Sequence, residues 1–229
     1  FTGFSAAFDE TGSTESLRFD PEGVRVSRCG KTAFVSDEYG PYLYEFDLHS
    51  GKRVRSLNLP NKFLIDIPFP TPASGTNPEL IRNAFGRQAN RGMEGLAISP
   101  DGSKLYGIMQ SPLLQDGALN ETFSRRGINN RIVEIDIDSG EVREFLYQLA
   151  DRSYGVSEIL AINDREFLVI ERDGNPGTAA AFKRLIKIDI AGATDIRAIK
   201  QLPQTGPLPA GVTPVARTPD GVLGAACFV

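Results

Sequence analysis

Three glutamates in this chain precede short apolar runs that resemble one another. Glu22, Glu94 and Glu158 open the runs "EGVRVS", "EGLAIS" and "EILAIN". A tight turn follows each run, and a second apolar run then ends in polar or acidic residues: Asp37, Glu38, Gln110, Ser111, Glu171 and Asp173. Oxygen donors without His or Cys suit a hard divalent cation better than Zn²⁺. The pattern therefore predicts a site for Ca²⁺, with Mg²⁺ as a second choice.

The carboxylates at both ends of these paired runs are the predicted metal ligands: Glu22, Asp37, Glu38, Glu94, Glu171 and Asp173. Glu94 and Glu158 are also candidates for a catalytic general base. Clustered carboxylates repel one another, so some must take up protons or bind a cation. An alternative stays open, in which the glutamates pair with arginines such as Arg91 and Arg152 and only hold the repeats together.

Arginines accompany the same segments. Arg91 directly precedes "GME", Arg172 lies within "ERD", and Arg131 and Arg184 open later apolar runs. Guanidinium groups match the oxygens of phosphate and carboxylate. These four arginines are therefore predicted to bind a small anionic or ester substrate, beside a cation that polarises a phosphoryl oxygen or supplies hydroxide. The alternative is that each arginine pairs with its neighbours and keeps the rim soluble.

The elements that must position these residues are short strands. "RIVEIDI" alternates polar with apolar residues, as a half-buried strand does, and turns such as "PDG" and "DSG" separate the runs. Four antiparallel strands per repeat form one blade of a β-propeller. The fold class is therefore all-β, with about three and a half blades in a single domain, 1–229. The blades are expected at roughly 18–60, 90–150 and 154–203, with a partial fourth at 209–229.

The order of the strands predicts where the charges meet. In a meander, the start of the first strand neighbours the end of the second, and the first strand lies innermost. The long connections reach this same end of each blade, whereas tight turns occupy the other end. The acidic ends should therefore form a ring around one mouth of the central channel. The third blade is expected to finish with the strand "IRAIKQL", and a helix is predicted over 77–88 in the connection after the first blade.

Composition limits the remaining possibilities. The chain has 229 residues, a net charge of −4 and one histidine, His49. No basic stretch favours nucleic acid as a partner, and no apolar stretch is long enough to span a membrane. The two cysteines have no metal-binding spacing, and one histidine makes a Ser-His-Asp triad hard to build. The chain starts at Phe1 and stops in an apolar run, so we expect a processed or partial chain.

The motifs "DPEG", "SDE", "NRGMEGL" and "ERD" together resemble the phytase-like domain family, described as having the esterase-like activity of phytase. The resemblance covers nearly the whole chain. It implies a propeller-type fold, hydrolysis of phosphoric esters and an extracytoplasmic location. The second repeat departs from the pattern because "MQS" replaces "SDE" or "ERD". The family's acidic motifs fall on Glu22, Asp37, Glu38, Glu94, Glu171 and Asp173.

Three functions agree with this reading. The first is a metal-dependent ester or phosphoester hydrolase with an acidic axial site on the long-loop face. The second is a non-catalytic propeller that binds a protein or a small molecule on that face. The third is a lactonase-like calcium propeller. Activity on esters, activity on lactones, or neither would separate the three.

Overall fold

The computed structural model describes residues 19–39, 42–65 and 83–225, with side chains described as far as residue 218. Twelve strands in these ranges form three four-stranded antiparallel sheets, each a simple meander. The first sheet contains β1 (Pro21–Val26), β2 (Thr32–Asp37), β3 (Tyr42–Asp47) and β4 (Arg53–Asn58). The second contains β5 (Met93–Ile98), β6 (Lys104–Met109), β7 (Asn129–Asp136) and β8 (Val142–Gln148). The third contains β9 (Gly155–Ala161), β10 (Glu166–Arg172), β11 (Lys183–Asp189) and β12 (Ala216–Ala225).

These sheets are the blades that the sequence pattern predicts, and the all-β propeller class is confirmed. The tight turns form for local reasons. In the turn between β3 and β4, the Asp47 carboxylate accepts a hydrogen bond from the Ser50 backbone N–H at 2.7 Å. Asp136 and Ser139 repeat this arrangement between β7 and β8 at 2.8 Å. A glycine at positive φ closes each turn, Gly51 at 68° and Gly140 at 73°.

Apolar side chains between adjacent blades form the core. The Phe34 side chain of the first blade belongs to one cluster with Leu96 and Leu105 of the second. Tyr106 of the second blade and Phe167 of the third share another, with their ring centroids 4.5 Å apart. The inner strands β1, β5 and β9 lie side by side. This packing holds the three blades, and hence the ends of their inner strands, in fixed relative positions.

Glycine explains how closely the inner strands approach. A Cβ atom on Gly23 would lie 2.6 Å from the Leu96 Cβ, and one on Gly95 would lie 2.8 Å from the Ile159 backbone N. Both contacts are shorter than carbon or nitrogen atoms tolerate. The Gly that follows Glu in "PEG" and "MEG" therefore serves packing between blades.

The prediction for the end of the third blade is wrong. Residues 196–202 form turns, and the fourth strand is β12, which pairs with β11. The segment instead runs along the outer strand of the second blade, where the Ile196 N–H donates to the Glu144 carbonyl at 2.8 Å. Leu202 is buried there against Leu146. The segment covers an exposed sheet edge, and the strand assigned to a partial fourth blade at 209–229 completes the third.

The predicted helix over 77–88 lies mostly outside the described residues. Its last part, 83–88, forms bends and a single bridge between Gln88 and Arg91. Among the described residues, no helix has the length and apolar character needed to cross a membrane.

Candidate functional site

A β-bulge opens the inner strand of every blade. The pairing register shifts between Pro21 and Val24 in β1 and between Met93 and Gly95 in β5. In the third blade, the neighbours Ile170 and Glu171 of β10 pair with residues that lie two apart in β9. Bulges turn a side chain out of its regular alternation. The residues at the three equivalent bulge positions are Glu22, Glu94 and Ser157.

Glu158 does not occupy the position that corresponds to Glu22 and Glu94, although the comparison of the three repeats predicts it there. It lies one residue beyond the bulge, where the other blades carry Gly23 and Gly95. Its carboxylate accepts a hydrogen bond from the Leu96 backbone N–H at 3.2 Å and pairs with Arg25 at 2.9 Å. Glu158 therefore connects the inner strands of all three blades, and Ser157 stands in the ring.

The ends of the second strands provide a second set of equivalent positions. The backbone N–H of Glu38 donates to the Asp20 carbonyl at 2.9 Å, and that of Gln110 donates to the Gly92 carbonyl at 2.8 Å. Arg172 pairs with Gly155 at the same level of the third blade. The residue at this position is thus acidic in the first blade, neutral in the second and basic in the third. We call the mouth the end of the blades formed by the two sets of positions and the residues beside them: Asp20, Glu22, Glu38, Arg91, Glu94, Gln110, Arg125, Ser157 and Arg172.

Four carboxyl groups form the acidic half of the mouth. One oxygen each of Asp20, Glu22 and Glu38 lies within 4.8 Å of the other two. Glu94 joins them through a hydrogen bond between its side chain and that of Glu22. Glu38 is almost completely buried, with 2 % of its surface exposed. The structure thus brings the predicted residues Glu22, Glu38 and Glu94 of the first two blades together, with Asp20 as a further member.

The pKa values in this half reflect burial and mutual repulsion. Burial, followed by the charge of Glu94, raises the pKa of Glu38 to about 9. Burial and then the charge of Glu22 raise the pKa of Glu94 to about 7. Partial desolvation, followed by the charge of Asp20, also raises the pKa of Glu22. Without a compensating cation, this cluster is expected to hold at least one proton at neutral pH.

Three arginines form the basic half. The Arg172 guanidinium donates to the Ser157 hydroxyl at 2.9 Å, and Arg91 donates to Ser111 at 3.4 Å. Arg125 donates to the Ser153 carbonyl at 2.7 Å. Burial, followed by the charges of Arg125 and Arg172, lowers the pKa of Arg91 to about 10. Burial and then the charge of Arg172 lower the pKa of Arg125.

The two halves are adjacent. The charges of Arg172 and Arg91 act on Glu94 and lower its pKa against the larger effect of burial. Among the described residues, none of the three mouth arginines forms an ion pair with a carboxylate. The mouth therefore presents hydrogen-bond donors with positive charge next to an excess of carboxylate oxygens.

Three predicted metal ligands have other partners. Glu171 is fully buried, accepts from the Tyr147 hydroxyl and the Ala150 N–H, and pairs with Arg217 at 3.1 Å. It points away from the mouth because strand neighbours alternate between the two faces of a sheet.

Asp173 and Asp37 organise the backbone. The Asp173 carboxylate accepts from the Ala181 N–H at 2.6 Å and pairs with Lys183, and the Lys183 hydrogen bond is the main reason that its pKa lies far below the usual range. The Asp37 carboxylate accepts from the N–H groups of Asp20 and Tyr39 at 3.1 and 3.0 Å. Asp37 therefore fixes the backbone of Asp20 and Tyr39 beside the acidic half, whereas Asp173 fixes the loop that contains Ala181.

Two predicted substrate-binding arginines lie elsewhere. Arg131 is fully buried and pairs with Asp116 at 2.6 Å and with Glu144 at 2.7 Å. Arg184 is exposed and lies over the Phe182 ring, 5.1 Å from its centroid. Arg131 is a structural residue of the second blade, because substrate cannot reach it. Arg91 and Arg172 are the predicted arginines that the structure brings to the mouth.

Sequence reasoning missed three residues of the mouth. Asp20 was visible within "FDPEG", but it lies just before the first strand and outside the repeat pattern. Ser157 was hidden because its neighbour is a glutamate, which aligns with the other glutamates if the bulge is ignored. Arg125 lies in a connection with no counterpart in the other blades, so no pattern could indicate it.

The fold and the mouth define a propeller scaffold that carries acidic and basic residues on the end that receives its long connections. The family model of the phytase-like domain, described as "Esterase-like activity of phytase", matches residues 5–221. The chain belongs to this family.

A curated relative is an uncharacterized secreted protein of Arthroderma benhamiae. It is 29 % identical over an alignment of 194 residues, and the match covers 72 % of this chain and 36 % of the relative. The chain therefore spans about a third of the length of this relative.

Solved propellers align with the chain at low identity. A putative 6-phosphogluconolactonase from Bacteroides uniformis is 15 % identical with a TM-score of 0.40, and covers 93 % of this chain and 43 % of its own. Kluyveromyces lactis Hsv2 is 12 % identical with a TM-score of 0.40, over 76 % of this chain and 43 % of its own.

Proposed function

We propose that this protein is a hydrolase of ester or phosphoester bonds that works with a divalent cation at the acidic half of the mouth. The observation that carries the proposal is the adjacency of four partly desolvated carboxyl groups and three arginines that have no carboxylate partner among the described residues. Membership of a family described by esterase-like activity supports the class of reaction. The cation and the substrate are our own inferences.

The donor set fits a hard cation. Asp20, Glu22 and Glu38 offer only oxygen, within a space of 4.8 Å. Gln110 adds a further oxygen at this level of the second blade: its side chain is buried, and its Oε1 has no hydrogen-bond partner among the described residues. Carboxylate and amide oxygens in loose geometry suit Ca²⁺, and Mg²⁺ is the second choice. Bound there, the cation would polarise a substrate oxygen or make a water molecule more acidic.

Glu94 is the best candidate for the general base. Its pKa of about 7 matches the range in which a base works efficiently at neutral pH. It lies between the acidic cluster, through Glu22, and the charges of Arg172 and Arg91. A group in this position can accept a proton from water or substrate while the arginines hold the anion. Glu158 is not a candidate because Arg25 and the Leu96 N–H occupy its carboxylate.

Arg91 and Arg172 are proposed to bind the anionic part of the substrate. Both are half-buried, and their partners in the structure are serine hydroxyls, which leave most of their donors available. Guanidinium donors in a partly desolvated site bind phosphoryl or carboxyl oxygens strongly. We also propose that the protein works outside the cytoplasm, which is supported by the description of its relative as secreted.

The proposal is tested by turnover and cation binding on the full chain. We expect hydrolysis of p-nitrophenyl phosphate or p-nitrophenyl acetate that is lost with chelator and restored by Ca²⁺ or Mg²⁺. Glu38→Gln should weaken cation binding by at least about tenfold, as expected for losing one charged ligand. The matched control is Asp138→Asn, an equal charge change at an exposed turn at the opposite end of the second blade.

The other two functions give different results. Turnover of lactones without turnover of either ester would indicate the lactonase-like function. Absence of turnover on all three substrate classes, with cation binding retained, would indicate a binding module. If Glu38→Gln hydrolysed either ester at the full wild-type rate in the presence of chelator, the cation would have no role in the reaction.

A further inference from the structure

A second group of arginines lines a cavity beside the mouth. The cavity has a volume of about 670 Å³ and is lined by Arg125, Arg126 and Arg152, together with Asn120 and Ser124. No described residue that lines it carries a carboxylate. The cavity is large enough for a small organic ligand. Its wall combines three positive charges with small polar groups.

Hydrogen bonds fix the turn that precedes Arg125 and the Arg125 side chain itself. The Asn120 side chain accepts from the Ser124 N–H at 2.8 Å, and the Asn120 N–H donates to the Ser124 carbonyl at 2.8 Å. Arg125 connects this turn to the next loop through the Ser153 carbonyl. Arg125 is therefore positioned to bind an anion with a small ordering cost.

The carboxylate of Asp151, which precedes Arg152 in the sequence, already has hydrogen-bond donors. The Asp151 carboxylate accepts from both the N–H and the hydroxyl of Ser153, at 2.8 and 2.6 Å. Arg126 and Arg152 are exposed and form no ion pair with a described carboxylate. Within the described residues, the three arginines of the cavity therefore have no ion-pair partner, although the charge of Arg152, after the hydrogen bonds from Ser153, also lowers the pKa of Asp151.

We propose that this cavity is an accessory binding site for a phosphate-type oxyanion, carried by a small molecule or present as free phosphate. Arg125 belongs both to the cavity and to the basic half of the mouth, where it faces Arg91 and Arg172. An anion in the cavity would relieve the repulsion among these three charges. Binding at the cavity and at the mouth should therefore be energetically coupled. The assignment does not depend on hydrolysis.

Calorimetric titration of the full chain with inorganic phosphate, in chelator, tests the site. We expect the double variant Arg126→Gln/Arg152→Gln to bind at least about tenfold more weakly at one site, as expected when charged donors are lost. The mouth variant Arg91→Gln/Arg172→Gln should retain this site. Arg184→Gln, an exposed arginine outside the cavity, serves as the matched control and should bind as wild type.

Two results would overturn the assignment. The first is a cavity variant that binds phosphate as tightly as wild type while the mouth variant loses all binding. The second is an equal loss in Arg184→Gln, which would indicate diffuse attraction to positive charge. Phenyl phosphate distinguishes the two sources of the anion: tighter binding than phosphate, lost in the cavity variant, indicates a phosphorylated small molecule, and equal binding indicates free phosphate. Failure of hydrolysis with cavity binding intact would contradict the proposed function alone.

Discussion

Glu38 shows how one side chain can make a binding site costly to fold. It is buried beside Asp20, Glu22 and Glu94, and its pKa of about 9 means that its charged form is strongly disfavoured. A buried carboxyl of this kind is usually retained for function rather than for stability. Its effect on folding can be measured without knowing the substrate.

The stability of cation-free protein should depend on pH through Glu38. In the unfolded chain a glutamate ionises near 4.5, whereas folded Glu38 keeps its proton until about pH 9. The contribution is therefore complete below pH 4.5 and decreases as the pH rises toward 9. Glu38→Gln should reduce this slope to the part that Glu22 and Glu94 contribute, and should be more stable than wild type at pH 8 by about 1–3 kcal/mol. Urea unfolding of both proteins between pH 5 and 9, with Asp138→Asn as control, measures it; parallel curves for wild type and Glu38→Gln would contradict the assignment.

Glu94 should control the pH dependence of turnover. As a base it is active when deprotonated, so kcat/KM should rise with pH and level off above its pKa of about 7, or at lower pH when a bound cation favours the charged form. Glu94→Gln should lower kcat by about 10²–10⁴-fold, the usual contribution of a general base. Steady-state rates between pH 5 and 9 test this, and a Glu94→Gln profile with the wild-type inflection would exclude the role.

At the scale of elements, the sequence is most informative where side-chain alternation and turn residues agree. Eleven of the twelve strands follow from the runs and turns of the repeat. The twelfth could not be predicted, because residues 196–202 follow the turn after which the repeat expects a fourth strand, but they pack on the edge of β8 through Ile196 and Leu202. The bulges in the inner strands could not be predicted from the sequence either. One extra residue in a strand changes which side chain faces the mouth, but it leaves the pattern of apolar runs and turns unchanged.

The bulge in β9 places Ser157, instead of Glu158, at the position equivalent to Glu22 and Glu94, and this difference can be tested. If Ser157 occupies the ring, Glu158→Gln should leave the affinity for Ca²⁺ unchanged. The same substitution should destabilise the fold by about 1 kcal/mol, because it weakens the partly buried hydrogen bond to Leu96 and the ion pair with Arg25. Glu22→Gln should do the reverse and weaken cation binding. Cation titration and urea unfolding of the two variants measure these effects. Weaker Ca²⁺ binding by Glu158→Gln would mean that Glu158, and not Ser157, is equivalent to Glu22 and Glu94.

The close packing of inner strands is testable at Gly95. An added Cβ would meet the backbone of Ile159 and Glu158 at 2.8 and 2.9 Å, and backbone atoms cannot move aside easily. Gly95→Ala should therefore lower the free energy of unfolding by about 1–3 kcal/mol. Gly174→Ala, where nothing lies within 4 Å, is the control. Urea midpoints measure both, and equal stability of the two variants would show that the inner strands have room to separate.

At the scale of the whole molecule, charge and support are divided between two regions. The mouth gathers groups with incomplete partners, whereas the buried groups around Arg131 are almost fully paired. Asp116 and Glu144 bind Arg131 on two sides, and Lys62, which comes from the connection after the first blade, pairs with Glu144 at 3.0 Å. The Asp116 carboxylate also accepts from the Leu202 N–H at 2.7 Å. This network therefore ties the second blade to distant segments of the chain.

Variants of Arg131 and Arg172 should therefore behave differently, because Arg131 is structural and Arg172 is proposed to bind the substrate. Arg131→Met should destabilise the protein by about 3–5 kcal/mol, since it leaves two buried carboxylates without their main partner. Such a loss could unfold the chain, so two further variants are measured beside it. Lys62→Met is milder, because it removes only the ion pair of Lys62 with Glu144, and Asp138→Asn is the control. In whichever of these variants stays folded, the KM for the anionic ester should equal that of wild type, whereas Arg172→Gln should raise KM with little change in the urea midpoint. A raised KM in folded Arg131→Met or Lys62→Met would mean that the buried network and the mouth are one functional unit.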